Sequence, residues 1–199
     1  METDILLPEI KEDENTNLFE KVQNDFLGLE TNYQIATGEI TRRIYLDSTA
    51  STLMMGIAHR TGEKFLQHYS NTHSLMHFSA KIATKTYTWV HEKILQFVQA
   101  DPEYYTCFFT GSGTTSGMNR IARVFNHLQP KKDVVLVSIM EHHSNDLPHR
   151  KHGGHVIHIP VDTHESKMGC VDMDLLDHYL AEYEGRVNYV SVTGISNVT

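Results

Sequence analysis

From residue 105 to residue 192, short apolar runs that read as strands alternate with longer amphipathic stretches that read as helices. Strands are expected at 105–110, 134–137, 155–159 and 187–192, and helices at 115–128, 145–151 and 172–183. Val134-Val-Leu-Val137 contains no polar residue, the pattern of a strand covered on both faces. Asp172 suits the N-cap of the last helix. Alternation of this kind leaves few folds open: an α/β, three-layer sandwich with a mostly parallel sheet and helices on either face. Ahead of this region, Leu18, Val22, Phe26 and Leu29 recur at helical spacing. Residues 42–47 then read as a short strand, and residues 52–69 and 78–99 as helices, the second stopped by Asp101-Pro102. Residues 1–16 are acidic and polar and are expected to be frayed.

Within that frame, Cys107-Phe-Phe-Thr-Gly-Ser-Gly-Thr-Thr-Ser-Gly-Met-Asn119 reads as strand, glycine and hydroxyl turn, then helix start. Gly111 and Gly113 allow a tight turn and close approach of a ligand to the backbone. Thr114, Thr115 and Ser116 add hydroxyls beside the first free N–H groups of the helix, so the segment has the layout of a phosphate cradle. It is not a Walker loop, because no Gly-Lys-Ser/Thr follows. Glycines at 111, 113 and 117 also miss the dinucleotide fingerprint by one residue. Taken alone, the loop could also be a polar turn between two elements, the lesser of the two readings.

Composition narrows the function. Hydrophobic residues make up 40% and charged residues 21%, as in an ordinary globular protein. The net charge of -8, with no Lys/Arg stripe, argues against nucleic acid or an anionic membrane surface as partner. Cys107 and Cys170 make neither a disulfide framework nor a C-x-x-C site. The N-terminus lacks the basic and apolar parts of a signal peptide, and nothing resembles a membrane span, so a cytoplasmic location is expected. The run His142, His143, His149, His152, His155, His158 matches no metal-binding spacing. No metal is expected, and most of these histidines are expected at the surface or half-buried.

Four segments in order carry a resemblance: Tyr45-Leu-Asp-Ser-Thr-Ala-Ser51, Thr110-Gly-Ser-Gly-Thr-Thr115, Glu141-His-His-Ser-Asn145 and Ser196-Asn-Val-Thr199. Together they resemble the class V aminotransferase family of pyridoxal-phosphate enzymes, which includes cysteine desulfurases and selenocysteine lyases. The resemblance implies the large domain of the fold type I pyridoxal-phosphate enzymes, truncated to the N-terminal half of a typical member. Residues 1–40 would be an arm and helix, and residues 41–199 a partial cofactor-binding domain. Gly113, Thr114 and Thr115 would hold the cofactor phosphate, His142 would stack on the pyridine ring, and Asn197 would bond the phenolic oxygen. Ala50, Ser51 and His73 would lie on the substrate side. Pyridoxal 5'-phosphate is the implied cofactor, an amino acid the implied substrate, and a homodimer the implied assembly.

The same resemblance implies a lysine that holds the cofactor aldehyde and an aspartate beside the pyridine nitrogen. In the family both follow the Ser-Asn-Val-Thr segment, so the chain is expected to be a fragment without turnover and without a catalytic residue. No lysine present falls at a strand end opposite the loop. Neither Cys107 nor Cys170 matches the cysteine that attacks sulfur in desulfurases, so transamination, desulfuration and epimerisation stay open. One alternative is a nicotinamide-dependent oxidoreductase with Gly111, Gly113 and Gly117 on a pyrophosphate and Glu141 on a ribose. Glu141, however, lies farther along than the usual ~20 residues. A second alternative is a non-catalytic remnant or interaction module.

Overall fold

Gly38 takes a φ of +88°, which lets the chain double back as a hairpin. Strand β1 (Asn32–Gln34) there pairs antiparallel with β2 (Ile40–Arg42). The structure is a computed structural model, which describes residues 17, 20, 22–164, 167 and 169–196. These belong to two compact units, Met1–Phe108 and Phe109–Thr199. Residues 1–16 and Leu18, with the expectations attached to them, lie outside the described residues.

Two helices dominate the first unit. Helix α1 (Gly56–Leu66) follows Met55, which has no side chain to cap it. Asp25 performs that role from a distance, accepting from the Ile57 N–H at 2.7 Å and from Arg60 at 2.9 and 3.1 Å. The Arg60 guanidinium holds the Asp25 carboxyl below its ordinary value, against the opposing effect of burial. Helix α2 (Phe78–Phe97) is capped by His77 and buries Ala80, Ile82 and Ala83. It ends before Asp101-Pro102 is reached, with Gln99 at φ +54°.

Two expectations for this unit are corrected. The backbone is helical at Glu20 and Val22, but Phe26 forms an isolated antiparallel bridge with Met55. Gly28, at φ +91°, turns the chain, so the apolar spacing through Leu29 is not a helix face. The strand expected at 42–47 lies earlier, because the ladder ends at Arg42. Beyond it, Ile44 and Leu46 are 81% and 89% exposed, an alternation with nothing beneath it.

The second unit runs α3 (Gly113–Leu128), β3 (Val134–Ser138), α4 (His143–His152), β4 (His155–Ile159), α5 (Met173–Glu182) and β5 (Val187–Ser191). Its three strands lie in the order β4-β3-β5, with both pairings parallel. The apolar run is therefore the central strand, and every residue of β3 is buried. Val134, Leu136 and Ile159 form the core on one face, under Leu176, Tyr179 and Tyr183 at α5 and its end. On the other face, α3 and α4 pack together. Phe125 and His149 there meet the Tyr189 ring edgewise, each with centroids 5.3 Å apart. Helices thus cover both faces of a parallel sheet. Asp172 caps α5 by accepting from the Leu175 N–H at 3.0 Å, as its position suggested.

Residues 105–110, expected as a strand, join neither sheet. The run spans the end of one unit and the start of the next, so it has an apolar sequence without a ladder in the described residues. Helix α3 also starts two residues earlier than the periodicity indicates, at the glycine itself.

Candidate functional site

The glycine loop folds as its composition demands. Gly111 and Gly113 have φ of +88° and +61°, conformations that glycine alone adopts at little cost. The Gly113 N–H donates to the Gly111 carbonyl at 2.5 Å. Ser116 Oγ donates to the Thr110 carbonyl at 2.7 Å, tying the first turn of α3 back to the entry of the loop. Ser112 occupies the N-cap but makes no side-chain cap, and the first turn holds no acidic residue. The positive end of α3 therefore faces outward with neither a capping oxygen nor a carboxylate beside it. Thr114 and Thr115 are exposed there. A Cβ added at Gly111 or Gly113 would meet nothing within 4 Å, so the space above the loop is open.

His142 is the N-cap of α4. Its Nδ1 accepts from the Ser144 N–H at 3.1 Å and lies 2.8 Å from Ser144 Oγ. That pair of contacts orients the ring while leaving it exposed.

Behind His142 lies a hydrogen-bond network that sequence reasoning missed. Ser138 Oγ, at the end of β3, donates to Glu141 Oε1 at 2.6 Å, and Asn145 Nδ2 donates to Glu141 Oε2. Asn145 Oδ1 then accepts from Ser191 Oγ, at the end of β5, at 3.2 Å. It also lies 3.1 Å from His149 Nε2, while His149 Nδ1 lies 2.9 Å from Tyr189 OH. The polarity follows from Asn145: its amide nitrogen is committed to Glu141, so its oxygen must accept. His149 must therefore carry its proton on Nε2 and accept from Tyr189 at Nδ1. Burial pushes the Tyr189 hydroxyl up to about 12, which keeps it a donor.

A second buried group sits beside the first. Asp146, 7% exposed, accepts from Arg150 Nε at 2.9 Å and from His158 Nε2 at 2.8 Å. Burial pushes the Asp146 carboxyl up, but these partners outweigh it and hold it below its ordinary value. Nothing in the local sequence marks His149 as buried, because its partner Tyr189 is 40 residues away. The spacing of Asn145 and His149, four residues apart on one face of α4, was the available signal.

His149 is 0% exposed. Burial pushes its imidazole below the ordinary 6.5, against the pull of Asp146 and Glu141. The unfolded chain therefore takes up a proton near pH 6.5 that the native chain refuses. Stability is full above that pH and falls below it by up to about 1.4 kcal/mol per pH unit, until the native imidazole also titrates. Urea unfolding at pH 7.5 and 5.5 should show this loss, and His149→Gln should flatten it.

The remaining sequence-derived residues belong to the first unit or fall outside the described residues. Ala50 and Ser51 lie in an exposed turn, with the Ser51 N–H on the Asp47 carbonyl at 3.0 Å and the Ser51 carbonyl accepting from Tyr45 OH. The exposed His73 donates its N–H to Asn71 Oδ1 at 3.1 Å. All three belong to the first unit, and Asn197 lies outside the described residues. Beyond the ends of β3 and β5, Met140, Thr193, Gly194 and Ser196 line a cavity of about 270 Å³, to which neither the loop nor His142 contributes. Among the described residues, no three or more His, Cys, Asp or Glu are grouped to hold a metal. No described helix is long and apolar enough to cross a membrane.

A probable cysteine desulfurase of Pseudomonas putida is 26% identical over 174 residues, which cover 82% of this chain and 40% of that protein. The cysteine desulfurase CsdA of Escherichia coli is 29% identical over 78% of this chain and 38% of its own. The chain thus spans about two fifths of the length of these curated relatives. Its structure resembles the apo cysteine desulfurase of Thermococcus onnurineus NA1 with a TM-score of 0.62 and 25% identity, over 77% of this chain and 37% of that one. The family model for aminotransferase class-V matches residues 44–199. The chain belongs to the aminotransferase class-V family.

Proposed function

We propose that this chain forms the phosphate-binding part of a pyridoxal-phosphate site in a cytoplasmic, homodimeric enzyme of the cysteine desulfurase type, acting on an amino acid. The observation that carries this reading is the start of α3, where a helix N-terminus has no cap and no acid, but two exposed threonines and an open glycine loop. Those features fit a phosphate dianion. When bound, the cofactor supplies an electron sink for the substrate carbon. Gly113, Thr114 and Thr115 hold its phosphate through N–H and hydroxyl donors. His142, oriented by Ser144, covers one face of the ring. Asn197 takes the phenolic oxygen, and Ala50, Ser51 and His73 take the substrate side. No residue of this chain is assigned proton transfer at the substrate carbon.

The nicotinamide alternative needs Glu141 for a ribose. Both of its carboxylate oxygens are already engaged, by Ser138 and Asn145.

Titration of the purified chain with pyridoxal phosphate, followed by cofactor absorbance and intrinsic fluorescence, tests the proposal. Thr115→Ala should weaken binding about tenfold, the scale of one charge-assisted hydrogen bond. His142→Ala should shift the cofactor band as well as weaken binding. Binding that ignores both substitutions would sink the assignment.

A further inference from the structure

Helices α3 and α4 lie side by side and end together, and a cavity of about 720 Å³ opens where their last turns meet. Its walls carry Arg123, Asn126 and His127 from α3, and Arg150, Lys151 and His152 from α4. Among the described residues, no Asp or Glu lines it. We propose that this cleft is a binding site for linked phosphates, a diphosphate or longer, separate from the glycine loop.

Basic residues in a last turn have an ordinary explanation, since they neutralise the negative end of the helix. The amount of charge decides between the two readings. Each helix end carries about half a negative charge, and Asp146 pairs with Arg150 from beneath at 2.6 Å. Against these stand three permanent cations, Arg123, Arg150 and Lys151. A surplus of about one positive charge remains, and it rises to about two when His152 is protonated. This surplus gathers on a chain of net charge -8, where a positive cleft focuses anions. The guanidinium of Arg123, the outer side of the Arg150 guanidinium whose Nε and Nη2 hold Asp146, an ammonium and the Asn126 amide line a volume far larger than one phosphate.

The histidines report on occupancy. Burial, Lys151 and Arg123 push the His152 imidazole below its ordinary value. Arg150 and His158 face Asp146 on the inner side, and Asp133, at the turn into β3, is paired with Arg186 at 2.7 Å. An anion in the cleft offsets Lys151 and Arg123, so His152 should gain its proton more readily and binding should tighten from pH 8 to pH 6.

The test titrates the full chain with inorganic pyrophosphate while following the histidine ring signals by NMR. Saturable shifts at His127 and His152 with an upward move in the His152 titration are expected, with His142 unmoved. Arg123→Gln and Lys151→Gln should each weaken pyrophosphate about tenfold, and Lys93→Gln should not. Orthophosphate should bind more weakly. A parallel titration with ADP separates free diphosphate from a nucleotide, whose tighter binding would extend the site to a nucleoside. Absence of saturable shifts, shifts confined to His142, equal affinity in the Arg123 and Lys151 variants, or preference for an acidic peptide over pyrophosphate would each overturn the proposal.

Discussion

Replacing Asn145 with alanine should lower the stability of the second unit by about 3 kcal/mol, read as a shift in urea midpoint at pH 7.5. One side chain serves three groups here. Its loss leaves the His149 Nε2–H and the Ser191 hydroxyl without their acceptor, and removes a donor from Glu141. Each buried polar group left unpaired costs about 1–3 kcal/mol, and the losses do not add, because all belong to one network. Asn145→Asp makes the sharper comparison. Its oxygens still accept from His149 and Ser191, but a second carboxylate then faces Glu141. That variant should be worst at neutral pH and recover part of its stability as the pH falls and the pair shares a proton. The alanine variant should show no such recovery. A loss under about 0.5 kcal/mol for Asn145→Ala would mean that solvent reaches these groups and the network holds nothing together.

Leu136→Ala should cost more, about 3–5 kcal/mol, by combining lost burial with a cavity in the middle of the sheet. Leu136 is 0% exposed and sits between Ile157 of β4 and Val190 of β5 in the ladder, above the α5 side chains. Domains of ordinary stability hold about 5–15 kcal/mol in all, so thermal unfolding should broaden or move below room temperature. Val190→Ala, at a partner position that is 38% exposed, should cost under about 1 kcal/mol. Similar losses at the two positions would contradict a core centred on β3.

The contrast between those residues also explains what could be read from the chain beforehand. Val134-Val-Leu-Val137 was legible because burial on both faces removes the need for polar residues, and that need is a property of the segment itself. The glycine loop and Asp172 were legible for the same reason, since backbone conformation and capping act over a few residues. Residues 105–110 were not, because a strand exists only when a neighbour pairs with it, and no local pattern states where the neighbour is. Phe26 was misread for the converse reason: its partner, Met55, lies in another part of the chain. The buried His149 combines both difficulties. A histidine can be stored in a core only if both ring nitrogens are met, and the residues that meet them come from α4 and β5. His142, by contrast, was picked out by its neighbours in Glu141-His-His-Ser-Asn145, and its capping bond is equally local.

The bare start of α3 carries one more consequence. A carboxylate at position 112 or in the first turn would close the helix and raise stability by about 1 kcal/mol. That same carboxylate would repel any anion approaching the loop. Folding and capture of the proposed phosphate would therefore compete for one set of N–H groups, which Ser112 does not cap. An occupied loop would supply from outside the closure that the chain itself omits, making the protein's persistence rise with the supply of what it binds.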